Sequence, residues 1–210
     1  MLLTKYAPQS LRQSGLYKQL SRKRRVWNLR KQVISANPLK VVLGAGPTHF
    51  PGWFQTDKEI LDVTNPTDWS ALFDPDSIDS LLSEHMLEHL TEHEARVALT
   101  ECYRYLKPTG LFRIAVPDGY RRDPDYLAEA SPPNDGHQVL YNIDTLTALL
   151  QSVGFKTTPL EYFDANEQFH AAAWDESEGL IQRSARFDKQ QNFRRGDLFY
   201  TSVIIDARKQ

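Results

Sequence analysis

The chain has 210 residues, 40% hydrophobic and 25% charged, with a formal net charge of −2. That composition suits one soluble globular core with or without an extension, and no apolar run approaches the roughly 20 residues that span a bilayer. The opening "MLLTKYAPQS" lacks the apolar stretch of a secretion signal, and the single cysteine, Cys102, rules out an internal disulfide or a cysteine-rich zinc site. Cys102 reads as a small core residue in a protein of the reducing cytoplasm.

The net charge conceals an asymmetry. Between Met1 and Lys40 there is no acid, whereas ten of the 25 basic residues fall there, from Lys5 to the "RKRR" run at Arg22–Arg25 and on to Lys40. The rest of the chain is therefore acidic. A basic arm on an acidic body is drawn either to an anionic partner, such as nucleic acid or a membrane surface, or onto the body itself. Residues 1–36 read as a helical arm that ends before "ANP", where Pro38 disfavours helix at Asn37. Residues 37–210 read as one α/β domain.

Within that domain "LKVVLGAGP" is a short buried strand running into a glycine turn. "GWFQTD" and "EILDVT" are two further strand candidates, each with an acid near its end, and "SIDSLLSEH" is another. "SEHMLEHLTEHE" follows, with His85, His89 and His93 four residues apart and an H-x-x-E-H pattern at His85–His89. A zinc-protease motif of that kind needs both histidines on one helix face. Here Thr91 and Glu94 form the capping box of a fresh helix, with Ala95, Ala98, Leu99, Cys102, Tyr105 and Leu106 at helical spacing up to "KPTG". His85 then ends a strand, His93 sits in a first helical turn, and His89 belongs to helix-start packing. No metal site is expected.

"GLFRIAVPD" is a strand, "NIDTLTALLQSVGF" a helix stopped at Gly154, and "KTTPLEYFD" and "DLFYTSVIIDARK" the last two strands. Alternating strands and helices imply a mostly parallel sheet. The final pair lacks a crossover helix, so an antiparallel last strand is expected.

A strand ending in G-x-G is where open α/β sheets bind nucleotides, since Gly44 and Gly46 let the backbone turn sharply and approach a ligand. Asp57, ending the next strand, can accept hydrogen bonds from both hydroxyls of a ribose, and Asp62 can meet an adenine amino group or cap a turn. As plain loop acids, both would have no ligand role.

The order "LGAGP…GWFQTD…LDVT…DSIDSLLSEHMLEHL…ECYRYLKPTGLFRIAVPD…LLQSVGF" resembles the class I S-adenosylmethionine-dependent methyltransferases, within them the small bacterial type-11 group. The resemblance covers about residues 39–160. It implies a Rossmann-like seven-stranded sheet and S-adenosylmethionine as cofactor, with the turn at Gly44, Ala45 and Gly46 for the methionine part. It further implies Asp57 for ribose, Asp62 for adenine, and Ser83, Glu84 and His85 beside the cofactor's amino group. Two motif positions depart from the family, "GAG" for the usual "GCG" and "KPTG" for "KPGG". Only "PTHFPG" separates the glycine turn from "WFQTD", too little for the usual first helix.

Methyl transfer from a sulfonium is an in-line displacement that needs alignment and exclusion of water, and a base only for an acceptor that must lose a proton. Groups after strand ends are the acceptor-side candidates: His85, Asp118 and Tyr120, with His137 and Tyr141 from "NDGHQVLYN". His137 is the favoured base, although a structural histidine fits the pattern equally. His170 and Trp174 either wall the acceptor pocket or pack an insert. Arg183, Arg186 and Arg194 fit surface salt bridges better than an anionic acceptor. The expected activity is methyl transfer to an unnamed acceptor; the alternative is a binding or scaffold protein that keeps the fold without turnover.

Overall fold

The computed structural model describes residues 15–187 and 202–210. The start of the expected arm, Arg194 and the first residues of "DLFYTSVIIDARK" lie outside the described residues. In chain order the elements are α1 (Gly15–Ile34), β1 (Lys40–Leu43), β2 (Phe54–Thr56), α2 (Pro66–Leu72) and β3 (Ile78–Glu84). Then come a 3-10 turn (Leu87–His89), α3 (Glu92–Tyr105), β4 (Leu106–Pro117), α4 (Pro124–Ala130), α5 (Ile143–Val153), β5 (Lys156–Phe163), β6 (Phe169–Ala171) and β7 (Ser202–Arg208).

The seven strands form one sheet in the order β2-β1-β3-β4-β7-β5-β6. β2, β1, β3 and β4 pair in parallel, whereas β7 is antiparallel to both its neighbours, β4 and β5. Seven strands were expected, but their membership differs. "EILDVT" is not a strand: Ile60 and Leu61 donate backbone N–H to the Asp57 carbonyl at 2.8 and 2.9 Å, curling the chain away from the sheet edge. Its alternating Leu61 and Val63 are buried, but in a loop that leads into α2, where the Trp69 indole N–H reaches the Val63 carbonyl at 3.0 Å. The seventh strand is instead β6, which pairs antiparallel with β5.

Local signals place the helices. Thr91 and Glu94 close the capping box of α3, with Glu94 N–H donating to Thr91 Oγ1 at 3.3 Å and Thr91 N–H to Glu94 Oε2 at 2.9 Å. Asn142 caps α5 through Thr145, and Gly154 ends it in the left-handed region at φ 111°. Strand alternation then sorts the core. Val41, Leu43, Leu81, Ile114 and Val203 face α2, α3 and α5, together with Trp69, which stacks on Tyr105 at a centroid distance of 5.3 Å.

Val42, Leu82, Ala115 and Ile204 face the other side. That side is where the missing first crossover helix would pack. Phe50 and Trp53 from the loop between β1 and β2, with Ile181 and Trp174 from the segment after β6, cover it instead. The short crossover is thus filled by side chains rather than by a helix.

Helix α1 packs on the rest of the described chain. Val33 is buried in the main core, and burying a valine contributes about 1.5–3 kcal/mol. Arg22 pairs with Asp68 at 2.5 Å, Arg25 with Glu59 at 3.2 Å and Arg30 with Asp74 at 3.0 Å. Leu20, Trp27 and Ile34 remain exposed on α1.

Candidate functional site

β1 sits where the strand order reverses, with β2 on one side and β3 on the other, and crevices at such switch points hold ligands in open α/β sheets. A cavity of about 400 Å³ opens there, at the carboxyl ends of β1 and β3. Val42, Gly44, Ala45, Gly46, Pro47, Thr48 and Phe50 line one wall; Glu84, His85, Gln182 and Arg183 line the other.

The glycine turn is shaped by its residues. Gly44 lies at φ +63° and Gly46 at φ +54°, where an L side chain is strained. A Cβ at Gly44 would meet Met86 Cγ at 2.6 Å, whereas at Gly46 it would meet nothing within 4 Å. Gly46 N–H donates to Asp57 Oδ1 at 3.0 Å, so the carboxylate at the end of β2 is held against the turn. Neither acid is among the residues lining the cavity: Asp57 stands behind the Gly46 turn, and Asp62 is engaged elsewhere. Asp62 Oδ1 accepts the Thr64 N–H at 3.0 Å and hydroxyl at 2.7 Å, closing a turn. Burial opposes ionisation of Asp62, but the Thr64 bonds and the charges of Lys58 and Arg22 outweigh it and hold the carboxyl below its ordinary value.

β3 delivers the other wall. Ser83 is buried, and the Glu84 carboxylate accepts the backbone N–H groups of Gln182 at 3.1 Å and Arg183 at 2.7 Å, fastening that segment over the cavity. His85 adopts φ +52°, a left-handed conformation that costs a non-glycine residue roughly 1–2 kcal/mol. The surroundings hold it there: its N–H donates to the Ala115 carbonyl at 2.9 Å, and Nε2 is 2.8 Å from Ser202 Oγ. The three spaced histidines occupy a strand end, a 3-10 turn and a first helical turn, as the capping box implied.

The acceptor-side candidates are spread along the same sheet edge and beyond it. Asp118, just after β4, is buried; its Oδ1 accepts the Tyr120 N–H at 2.9 Å and its Oδ2 the Phe163 N–H at 2.7 Å. Tyr120 donates its hydroxyl to Asp144 at 2.6 Å, and that bond, above all, raises its pKa. Tyr141 is buried, which pushes its phenol up to about 12, with Glu92 and Glu88 adding to the effect. His137 is buried against His89 and is not among the cavity-lining residues. His170 lies on β6, stacked on Tyr162 and 2.9 Å from Asp164, also apart from the cavity. Trp174 packs the insert, with its indole N–H on Glu161 at 2.9 Å, and Arg186 pairs with Glu176. Gln182, Thr48 and Phe50 line the cavity without any sequence signal that marked them; only their fold position brings them there.

Burial raises the Asp118 carboxyl to about 6, against the opposing pull of its two backbone bonds and Arg121. An acid whose folded pKa lies above its unfolded value costs nothing while protonated in both states and costs most once ionised in both. As pH rises from about 4 to about 6, this one group is expected to lower stability by roughly 3 kcal/mol. Denaturant titrations of wild type and Asp118→Asn at about pH 4 and about pH 7 check this. The difference between the two proteins should change by that order; a pH-independent difference contradicts it.

Residues 55–114 match the type-11 family model described as a methyltransferase domain. The crystal structure of a SAM-dependent methyltransferase from Archaeoglobus fulgidus covers 92% of this chain and 98% of its own at a TM-score of 0.50 and 16% identity. One from Thermotoga maritima, described as a possible histamine N-methyltransferase, covers 95% and 97% at a TM-score of 0.51 and 14% identity.

The chain carries the class I methyltransferase fold. A curated relative, a probable S-adenosylmethionine-dependent methyltransferase of Mycolicibacterium smegmatis, is 32% identical over 110 residues. That match takes in 52% of this chain but spans only 37% of the relative's length. The relative's name gives S-adenosylmethionine as that protein's cofactor. Among the described residues, no helix is long and apolar enough to cross a membrane.

Proposed function

We propose that the protein transfers a methyl group from S-adenosylmethionine to an acceptor bound at the carboxyl edge of the sheet. The observation that carries this reading is the cavity at the β1/β3 switch point, bounded by the Gly44–Gly46 turn and by Glu84 and His85. The residues fit the group. Gly46 presents open space to the cavity, a carboxylate at the end of β2 suits ribose hydroxyls, and Glu84 suits a cationic amino group. When bound, the cofactor supplies an electrophilic methyl; this chain's part is to orient it and to keep water out. The segment carrying Gln182 and Arg183, tied down by Glu84, closes one side for that purpose. In this reading Asp62 supports the adenine pocket through its turn, and His85, Asp118, Tyr120 and Tyr141 shape the acceptor side.

The scaffold alternative drew its support from the shortened first crossover. Phe50, Trp53, Trp174 and Ile181 cover the sheet face there, which supports the enzyme reading, and turnover with an acceptor distinguishes the two. Residues 1–36 and 37–210 are proposed as arm and catalytic domain, with the arm's remaining basic charge available to an anionic partner.

Calorimetric titration with S-adenosylhomocysteine tests the reading. Wild type should bind saturably with one equivalent, and Asp57→Ala should lose at least about tenfold in affinity, the loss of a charge-assisted pair of hydrogen bonds. Absence of binding by wild type, or unchanged affinity in Asp57→Ala, contradicts the assignment.

A further inference from the structure

We infer that Glu88, His89 and His137 form a binding site for one divalent transition-metal ion of the zinc class. One donor atom from each of the three residues lies within 4.8 Å of the other two. The trio is assembled from two separate parts of the chain. Glu88 and His89 come from the 3-10 turn after β3, and His137 from the loop that precedes α5. Backbone bonds lock the two together, since Gln138 N–H and Val139 N–H both donate to the Glu88 carbonyl, at 2.7 and 3.3 Å.

Two independent observations point to a cation there. The Glu88 side chain is fully buried, and neither carboxylate oxygen has a hydrogen-bond partner of good geometry. The His85 imidazole lies beside it, Nδ1 3.2 Å from Oε1. A buried carboxylate left in that state is costly unless a positive charge joins it. The second observation concerns His137. Its Nδ1 lies 2.7 Å from the Ala130 carbonyl, which can only accept, so Nδ1 carries the proton. In the neutral ring that leaves the lone pair on Nε2, and a backbone carbonyl holding the other ring nitrogen is the usual support of a metal-binding histidine. His89 packs edge-on against His137, with ring centroids 4.9 Å apart, and is the exposed member through which an ion enters.

Two imidazoles and a carboxylate are a borderline-soft donor set that suits zinc, cobalt or nickel better than magnesium or calcium, and they leave a fourth position open. Bonds of about 2.0–2.1 Å at tetrahedral angles place donors about 3.3 Å apart, so the trio closes slightly around an ion. The H-x-x-E-H pattern misses the trio because it pairs His85 with His89 on one helix face. The fold replaces His85 by Glu88 and adds His137. The site also adjoins the proposed cofactor cavity, because Glu88 touches His85 and His85 lines that cavity.

The test uses the full-length protein, stripped with a chelator and titrated with zinc alone by calorimetry. Cobalt loading, followed by its visible absorption, reports the coordination geometry. Wild type should bind one equivalent of zinc and give the intense visible bands of four-coordinate cobalt. His89→Gln should weaken zinc binding at least about tenfold while keeping the apo protein's thermal midpoint, because His89 is exposed. Glu88→Gln should do the same even if its stability changes, and His93→Ala should leave binding unchanged. The proposal is overturned if wild type binds no zinc, if His89→Gln and Glu88→Gln bind as wild type does, or if only His93→Ala loses binding. S-adenosylhomocysteine affinity, measured separately on the stripped protein, keeps failure of this site distinct from failure of the cofactor reading.

Discussion

Replacing Arg113 by alanine is expected to lower the stability of the protein by about 3–5 kcal/mol, the usual cost of removing one partner from a buried ion pair. Arg113 is fully buried in β4, and its guanidinium forks onto Asp206 of β7 at 2.7 and 2.9 Å. A further nitrogen, Nη1, donates to the carbonyls of Asp175 and Gly179, each at 2.7 Å, and the guanidinium lies over the Trp174 ring. Alanine would strand a nearly buried carboxylate and two carbonyls together. The double change Arg113→Met with Asp206→Leu removes both charges and should recover much of the loss. Urea denaturation of the three proteins decides the matter, and a loss below about 1 kcal/mol for Arg113→Ala contradicts the account. The effect should extend to the site. The segment Arg113 anchors continues into Gln182 and Arg183, so Arg113→Ala should also weaken S-adenosylhomocysteine binding at temperatures where it remains folded.

Gly44→Val is expected to lose at least about 100-fold in S-adenosylhomocysteine affinity, equivalent to about 2.7 kcal/mol. At φ +63° a β-branched residue is a genuine backbone outlier, and the new Cβ would lie 2.6 Å from Met86 Cγ and 3.0 Å from Met86 Cβ. The turn and the start of the segment after β3 must therefore shift apart, and with them both walls of the cavity. Gly46→Ala is the informative contrast. It bears the strain of φ +54°, but its Cβ meets no protein atom within 4 Å. If a ligand approaches the backbone there, alanine at 46 should reduce affinity more than stability, whereas valine at 44 should reduce both. Equal affinities for wild type and Gly44→Val would remove the glycine turn from the site.

What the sequence disclosed was what local physics determines. The Thr91–Glu94 box, the Asn142 start and Gly154 end of α5, and the buried strand running into Gly44 each depend on neighbours within a few residues. "EILDVT" misled because its alternation of apolar residues is real, with Leu61 and Val63 buried, but the Asp57 carbonyl takes the Ile60 and Leu61 N–H groups and curls the segment off the edge of β2. The filling of the sheet's second face was invisible for the opposite reason. Phe50 and Trp53 meet Trp174 and Ile181 from far along the chain, and no local pattern announces that contact. His137 shows the same limit. Its loop position suggested a base over the site, while its folded neighbours are His89, the Ala130 carbonyl and the backbone of the turn that carries Glu88.

The most direct measurement of the central claim is a crystal structure of the protein grown with saturating S-adenosylhomocysteine. The account predicts ligand density across the β1/β3 switch point, with the ribose hydroxyls on Asp57 and the amino-acid tail between the Gly44–Gly46 turn and Glu84. Density elsewhere, for example in the neighbouring cavity beside Lys40 and Trp53, or an empty switch point at saturation, would contradict it.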